Sequence, residues 1–300
     1  MAASYNKLSD YLQARFGCKV YKLALDGGMT CPNRDGTCGT GGCIFCGGDG
    51  SGAFAQSGQS VWEQIEQAKT RVRAKVKDGK YIAYFQNFTN TYAPVSYLEP
   101  LFQAALEHPD IVALSIGTRP DCLPPAVLSL LERLNHQKPV WVELGLQTIH
   151  EDTARYIRRG YALPVYAQAV EELHDRDLEV ITHVILGLPG ESKEQMLETV
   201  RYAGSRTDGI KLQLLHILRG TDLALDYDAG NVPVMELDEY CDLVLDCLRV
   251  LPPRVVIHRL TGDGAKKDLL APLWSGDKKR VLNTLNRKLA EQNVIQGECL

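Results

Sequence analysis

The chain has 300 residues, of which 45% are hydrophobic and 23% are charged, and its formal net charge is −4. These proportions are those of an ordinary globular protein, and they exclude a disordered chain, a coiled coil and a collagen-like repeat. No apolar run approaches the ~20 residues that cross a bilayer, and the first residues lack the apolar segment of a secretory signal. We therefore expect a cytoplasmic protein with no membrane partner, without the overall positive charge of many nucleic-acid-binding proteins.

Helices and strands are predicted to alternate along almost the whole chain. A helix over 5–16 and a strand over 19–25 precede a Gly- and Cys-rich loop over 26–59. There follow helix 60–78, strand 81–86, helix 96–108, strand 111–116, helix 124–136, strand 140–146, helices 150–158 and 164–175, strand 179–186, helix 192–204, strand 209–215, helix 236–250, strand 254–258 and helix 277–291. Strands separated by helices predict βα units and a parallel sheet. Six or seven such units favour a single α/β barrel, closed or partial, whose chemistry lies on the loops after the strands.

The cysteines point to a metal site in the first loop. The chain has nine cysteines, and this odd number without a secretory signal argues against a disulfide framework. Four of them, Cys31, Cys38, Cys43 and Cys46, fall within sixteen residues. Four thiolates could hold a structural zinc ion, although zinc sites built from one loop usually use two short pairs. Three thiolates could instead hold a [4Fe–4S] cluster with one iron open to a further ligand, and the spacing favours this second interpretation.

Polar or glycine-rich segments follow most of the other predicted strands, at 86–91, 118–120, 147, 187–190, 219–221 and 258–263. Because parallel strands end at one edge of a barrel, these segments predict one active site on one face. Each segment alone is also compatible with an ordinary turn or a polar strand end. His183, within strand 179–186, is interpreted as a core histidine, whereas Cys122 is expected on the active face.

Seven motifs that occur in a fixed order carry a resemblance to a known family. They are CPNRDGT, GGCIFC, TNTYA, IGTRPDC, ELGLQ, GLPGE and IHRLTGDG, the last followed by APLW. Over about residues 15–290 the chain resembles the radical SAM superfamily, and within it the YtqA/YhcC-like subfamily related to the Elongator catalytic subunit and the oxygen-independent coproporphyrinogen oxidases. The resemblance implies an α/β fold, a partial (β/α)6-type TIM-like barrel. The barrel core is expected at 19–260, with an N-terminal helical extension at 1–18 and a C-terminal extension at 261–300.

The resemblance also implies the cofactors and the residues that hold them. The cluster ligands follow a Cys-x11-Cys-x2-Cys spacing, which corresponds to Cys31, Cys43 and Cys46 and leaves Cys38 outside the pattern. The second cofactor is S-adenosyl-L-methionine. Its candidate contacts, in chain order, are Gln86, Thr89, Gln147, Arg159, Gly187 and Gly190. Gln86 and Thr89 stand where the family usually has Gly-Gly-Glu, and the alternative for them is an ordinary polar strand end. The alternative for Arg159 is a solvated charge at the end of a helix.

Such an enzyme cleaves S-adenosylmethionine reductively, and the resulting 5′-deoxyadenosyl radical abstracts a hydrogen atom from the substrate. The resemblance implies a tRNA substrate, with the wobble uridine converted from the 5-carboxymethylaminomethyl to the 5-aminomethyl form. The candidate catalytic residues are His258, Arg259 and Asp263, and the basic segment 266–288 is expected to bind phosphate. The expected partners are tRNA and an electron donor such as a flavodoxin or ferredoxin. Two alternatives remain: radical chemistry on a small molecule such as a porphyrin or amino acid, and a zinc-stapled RNA-binding protein without catalysis.

Overall fold

The computed structural model describes residues 4–48, 60–72, 79–262 and 266–300. The strands are β1 (Val20–Leu25), β2 (Lys80–Phe85), β3 (Ile111–Thr118), β4 (Val140–Gln147), β5 (Glu179–Leu186), β6 (Gly209–Leu214), β7 (Ile217–Leu218), β8 (Val256–Arg259) and β9 (Leu269–Ala271). The helices are α1 (Leu8–Phe16), α2 (Val61–Val72), α3 (Val95–Glu107), α4 (Pro125–Asn135), α5 (Glu151–Tyr156), α6 (Leu163–His174), α7 (Lys193–Arg206), α8 (Asp222–Asp228), α9 (Leu237–Arg249) and α10 (Lys278–Glu291). Helices follow most strands because the apolar outer face of the parallel sheet must be covered, and the crossover helices cover it.

Seven strands form one parallel sheet in the order β1-β2-β3-β4-β5-β6-β8. The sheet is curled, because Nζ of Lys22 on the edge strand β1 lies 3.4 Å from Nδ1 of His258 on the opposite edge strand β8. The N-terminal segment spans the remaining gap, where Lys7 forms a parallel bridge with Ile257. The curled sheet confirms the predicted partial barrel.

Two layers of apolar packing hold the barrel. On the outside, buried aliphatic and aromatic side chains of the sheet pack against the helices. For example, the rings of Phe85 and Phe102 pack edge to face, with their centroids 5.2 Å apart. Inside, a smaller cluster closes one end of the barrel and consists of Leu12, Ile82, Ala113, Trp141 and Ile181. Because α1 supplies Leu12, the N-terminal helix acts as the plug of this end. The opposite end, where the strands terminate, stays open.

Some elements differ from the sequence prediction. A two-stranded antiparallel ribbon of β7 and β9, and the short helix α8, were not predicted. Within the described residues, α2 extends from Val61 to Val72; the rest of the predicted helix 60–78, at 73–78, lies outside them, as does the loop segment 49–59. In the part of the chain that is described, no helix is long and apolar enough to cross a membrane.

Candidate active site

A cavity of about 280 Å³ opens at the carboxyl ends of the strands. It collects side chains from the ends of six strands of the main sheet (β2, β3, β4, β5, β6 and β8) and from the cysteine loop that follows β1. Among the predicted site residues, its lining includes Cys31, Cys43, Cys46, Gln86, Thr89, Gln147, Arg159 and Arg259. The expectation of one site on one face therefore matches the placement of these eight residues.

The cysteine loop is fixed by contacts along its length. Ile44 is buried in an apolar cluster with residues of β5, β7 and α8, and its backbone N–H donates to the carbonyl of Ile157 at 3.3 Å. Arg34 donates to the carbonyls of Cys46 at 3.0 Å and Gly47 at 2.6 Å. These bonds hold the short Cys-Ile-Phe-Cys segment against the end of the barrel.

The thiols of Cys43 and Cys46 are partly shielded from water. Burial raises the pKa of Cys43 to about 11, and the neighbouring Cys46 adds to the effect. Burial also raises the pKa of Cys46, against the opposing charge of Arg34. Asn33 donates an amide hydrogen to Sγ of Cys43 at 3.5 Å. A positively charged metal centre would hold these half-buried sulfurs as thiolates.

The spacing of the sulfurs bears on the kind of metal centre. All four loop cysteines are described, and no three of their sulfurs lie within 4.8 Å of one another. Tetrahedral zinc with bonds of about 2.3 Å would bring its sulfurs to within about 4 Å. Cys31, Cys43 and Cys46 share the main cavity, whereas the exposed Cys38 lines two neighbouring cavities instead. In this arrangement no three of the four sulfurs are close enough to share one zinc ion, and three of the four cysteines share one cavity.

Gln147, the last residue of β4, has an unusual backbone. Its φ is +67°, and the pairing of β4 with β5 shifts register between Gly145 and Gln147. A non-glycine residue in this region is strained, and such strain is held by surrounding structure where it serves a site. The Oε1 atom is buried, and among the described residues it has no hydrogen-bond partner. The side chain lines the cavity, and its unsatisfied acceptor oxygen could accept a hydrogen bond from a ribose hydroxyl group.

Arg159 lies at the same rim and is only 2% exposed. Its guanidinium donates to the carbonyls of Thr148 at 2.6 Å and Tyr161 at 2.9 Å, and to Glu151 at 2.9 Å. It is therefore not a solvated helix-end charge. These bonds use donors that a bound carboxylate would also need, so the geometry supports a structural role at least as directly as a ligand contact.

The remaining predicted residues are spread around the site. Gln86 and Thr89 line the cavity, whereas Gly187 and Gly190, both with positive φ, are not among its lining residues. Of the three candidate catalytic residues, Arg259 lines the cavity, and His258 faces a lateral cavity at the seam between β1 and β8. Asp263 lies outside the described residues. Cys122 is buried beside a third cavity, on the outer side of the cysteine loop.

A charged network inside the barrel was missed by sequence reasoning. The Glu143 side chain on β4 is fully buried and contacts Lys22 at 2.5 Å, Ser115 at 2.6 Å and His183 at 2.7 Å, and it also pairs with Lys211. His183 is thus part of the charged interior and lines the cavity, unlike the ordinary core histidine predicted. The available signal was the presence of charged residues within otherwise apolar strands.

The neighbouring groups of this network determine one another's protonation states. Burial alone would raise the pKa of Glu143, but Lys211, Lys22 and the hydrogen bond from His183 lower it well below its ordinary value. Burial lowers the pKa of His183 to about 4, with Lys211 adding to the effect, so this imidazole is neutral near pH 7. The network therefore combines a carboxylate, two amines and a neutral histidine.

Comparison with known proteins gives consistent results. A family model described as the Radical SAM superfamily matches residues 35–203, and a second, the Radical_SAM C-terminal domain, matches residues 207–291. YtqA of Bacillus subtilis is 45% identical over 296 residues, which cover 98% of this chain and 92% of YtqA. A tRNA uridine(34) acetyltransferase of Methanocaldococcus jannaschii is 26% identical over 194 residues, covering 63% of this chain and 34% of that protein.

Among solved structures, the archaeal Elp3 of Methanocaldococcus infernus, with its N-terminus (1–46) deleted, superimposes with a TM-score of 0.70. The sequence identity is 16%, and the match covers 92% of this chain and 64% of that chain. This likeness independently supports the partial barrel.

Proposed function

The chain belongs to the radical SAM superfamily, and we propose that it is a tRNA-modifying enzyme that converts 5-carboxymethylaminomethyl to 5-aminomethyl at the wobble uridine. Its cofactors, as in that superfamily, are a [4Fe–4S] cluster and S-adenosylmethionine. When bound, these groups supply reductive cleavage of S-adenosylmethionine and abstraction of a hydrogen atom from the substrate. The superfamily membership replaces the alternative of a non-catalytic, zinc-stapled protein.

In this proposal Cys31, Cys43 and Cys46 hold three irons of the cluster and leave the fourth open. The cavity that the three cysteines share supports the assignment. The exposed Cys38 stays free of the cluster. The Gly-rich backbone of the loop would tune the cluster, since hydrogen bonds and solvent exposure set its potential.

Gln147 would accept a hydrogen bond from the ribose of S-adenosylmethionine through its unsatisfied Oε1. Gln86 and Thr89 would contact the methionine part from the end of β2. Arg159 would shape this rim through its bonds to the backbone beyond β4. The positive-φ turn at Gly187 and Gly190 would pass beside the adenine. Together these residues position the cofactor and exclude water from the reacting atoms.

The single observation that supports an RNA substrate most directly is the 26% identity with a protein named for tRNA uridine 34. The wobble base suits a buried site because the anticodon loop already presents it unpaired. In the proposal, this base reaches the cavity beside Arg259, with His258 behind the cavity wall and Asp263 following β8 in the chain. A flavodoxin or ferredoxin would supply the electron.

The surface at the start of α10 offers a place for RNA phosphates. Of the basic residues in 266–288, Lys288 is paired with Asp238 and Asp242, and Arg287 is paired with Glu291. Three adjacent basic residues, Lys278, Lys279 and Arg280, are exposed in the first turn of α10. This turn follows β9, whose partner β7 comes directly after the open end of β6. In the proposal, this turn supplies phosphate contacts within the basic segment 266–288.

The test is conversion of tRNA by the anaerobically reconstituted enzyme. The substrate is tRNA isolated from cells that lack this gene, and the expected result is loss of the carboxymethylaminomethyl nucleoside and appearance of the aminomethyl nucleoside in digests. Lys279→Glu should weaken tRNA binding and reduce the steepness of its salt dependence by roughly 0.7 per lost phosphate contact. It should leave cleavage of S-adenosylmethionine without substrate unchanged.

The matched control is Arg133→Glu, another charge reversal at an exposed helical residue, on α4. Arg133→Glu should leave both binding and its salt dependence unchanged. Turnover of a free metabolite by an enzyme that ignores tRNA would contradict the RNA assignment and favour small-molecule chemistry.

A further inference from the structure

Asn33 ties the cysteine loop to the turn that follows α5. This residue is only 4% exposed. Its Nδ2 atom lies 2.7 Å from the carbonyl oxygen of Arg158, 3.3 Å from that of Arg159 and 3.5 Å from Sγ of Cys43. Backbone carbonyls only accept hydrogen bonds, so these two carbonyls determine that the NH2 end of the amide, and not its oxygen, faces the sulfur. A buried amide therefore donates to one of the proposed cluster ligands.

The backbone of this turn leaves room for the Asn33 amide. Arg158 and Gly160 both have positive φ, +56° and +83°. A Cβ atom at Gly160 would lie 2.4 Å from Oδ1 of Asn33, so any larger residue there would displace the amide. Arg119 also holds the turn, because its guanidinium donates to the carbonyl of Arg159 at 2.9 Å. The glycine at position 160 therefore lets the turn contact Asn33 closely.

The hydrogen bond from Asn33 matters most when Cys43 binds a metal. The Cys43 thiol has a hydrogen of its own, which it donates to the carbonyl oxygen of Arg158 at 3.5 Å. As a cluster ligand the sulfur is a thiolate, which has no hydrogen to donate and accepts more strongly. Because reduction adds negative charge to the cluster and its sulfurs, a donor at a sulfur stabilises the reduced form more than the oxidised form. Hydrogen bonds to the sulfurs are accordingly among the factors that set cluster potentials.

We propose that Asn33 is a positioning residue of the cluster, which holds Cys43 in place and raises the reduction potential of the cluster through its amide N–H. The inference rests on the proposed ligand set and deepens it, because it names a residue that controls how readily the cluster is reduced. Asn33 is not among the residues that line the main cavity, so it acts through Cys43 rather than by contact with substrate. An electron must reach the cluster before S-adenosylmethionine is cleaved, so a less reducible cluster would slow that step.

The test is a redox titration of the reconstituted holoenzyme, without S-adenosylmethionine or tRNA, in which electron paramagnetic resonance counts the reduced clusters. Asn33→Leu removes the donor and keeps a side chain of similar size. At a fixed potential it should lower the ratio of reduced to oxidised cluster about fivefold, which corresponds to the loss of one hydrogen bond, while the iron content stays at that of the wild type.

The matched control is Asn135→Leu. The Asn135 amide also joins two segments, through the carbonyl of Asp177 at 3.0 Å and the backbone N–H of Val140 at 2.9 Å. Asn135 precedes the start of β4, at the end of the barrel opposite the cysteine loop. Its replacement should therefore leave the ratio of reduced to oxidised cluster unchanged.

A second pair of variants moves the amide without replacing it. Gly160→Ala introduces a Cβ atom against Oδ1 of Asn33 and should lower the same ratio, because the amide cannot keep its place beside Cys43. The same Cβ atom lies 3.1 Å from Nη2 of Arg119, so Gly160→Ala is repeated in the Asn33→Leu background, where it should cause no further decrease. Gly230→Ala is the control for backbone strain, because Gly230 has a similar φ of +78° and its Cβ atom would meet no described atom within 4 Å. This control should leave the ratio unchanged.

An unchanged ratio in Asn33→Leu with full iron content would overturn the inference, as would an equal decrease in Asn135→Leu or Gly230→Ala. If Asn33→Leu is folded by circular dichroism but holds no iron, the inference stands only if Gly160→Ala keeps its iron and shows the decrease; otherwise Asn33 is a structural clamp alone and the inference fails. The titration uses no tRNA, so its outcome is independent of the RNA assignment. Iron retained by Cys43→Ala would instead refute the proposed ligand set itself.

Discussion

Replacing Glu143 by alanine should cost about 3–5 kcal/mol of folding stability, because it leaves two buried lysines without their counter-charge. The Glu143 carboxylate is fully buried, with Lys22 at 2.5 Å and Lys211 also in contact. It also accepts hydrogen bonds from Ser115 at 2.6 Å and from His183 at 2.7 Å. One substitution therefore removes the carboxylate partner of four polar groups in the interior, and the two lysines keep only neutral partners such as Ser115 and Tyr84.

The magnitude comes from the difference between breaking and removing a buried ion pair. Breaking it by deleting one partner typically costs about 3–5 kcal/mol, whereas replacing both partners by neutral groups of similar volume is often close to neutral. Glu143→Gln keeps the volume and one acceptor oxygen, so we expect a smaller loss than with alanine. The double variant Glu143→Gln/Lys211→Met removes one orphaned cation and should be more stable than Glu143→Gln alone.

The assay is urea unfolding at pH 7 of the wild type and variants, all in the metal-free form. The matched control is Glu99→Ala, because Glu99 pairs with Arg133 at 2.8 Å while both side chains are about half exposed. Such surface pairs are worth about 0–1 kcal/mol. A loss below about 1 kcal/mol for Glu143→Ala, equal to that of the control, would refute the view that this carboxylate neutralises the interior.

Three further predictions concern the site itself. Alanine at any one of the three proposed cluster ligands should abolish iron binding on anaerobic reconstitution, while Cys38→Ala should retain about four irons per chain; iron loss with Cys38→Ala instead would reassign the ligands. Gly145→Ala places a Cβ atom 2.7 Å from Nε2 of Gln147 and should displace that side chain. We expect S-adenosylmethionine to bind about fivefold more weakly, which corresponds to the loss of one hydrogen bond, while the iron content stays the same. Unchanged affinity in calorimetry would remove Gln147 from the cofactor site. The pKa of His183 is about 4 in the folded protein and about 6.5 in an unfolded chain. As the pH falls from about 6.5 to 4, the unfolded state therefore binds a proton that the folded state does not. The free energy of unfolding of the wild type should fall by up to about 3 kcal/mol across this window. His183→Gln should flatten that part of the profile, and an identical profile in the variant would contradict the assignment.

The sequence was sufficient to predict the barrel because its signals are local. Each of the seven main strands is a short apolar run between turn residues, and each run alternates with a helical pattern, which leaves few topologies other than a parallel sheet. The ribbon of β7 and β9 was missed because strands of two and three residues carry no periodic signal. Their pairing joins segments about fifty residues apart, and no local pattern reveals it.

The candidate site was predicted in part for the same reason. The cysteine loop and Gln147 stand at strand ends that are visible in sequence, and both line the cavity. The charged interior could not be predicted, because Lys22, Glu143 and Lys211 come from three strands separated by more than sixty residues. Only the curl of the sheet brings their side chains together. The hydrogen bonds of Arg159 could not be predicted either, because they are made to backbone carbonyl groups, which every residue type has.

The RNA assignment is the central claim, and mass spectrometry of tRNA nucleosides from cells with and without this gene tests it most directly. The account predicts that deletion leaves 5-carboxymethylaminomethyl nucleosides in excess and removes the 5-aminomethyl form, and that the wild-type gene restores it. A copy of the gene carrying Cys43→Ala should fail to restore it, which ties the change to the cluster. An unchanged nucleoside profile in the deletion strain would contradict the account.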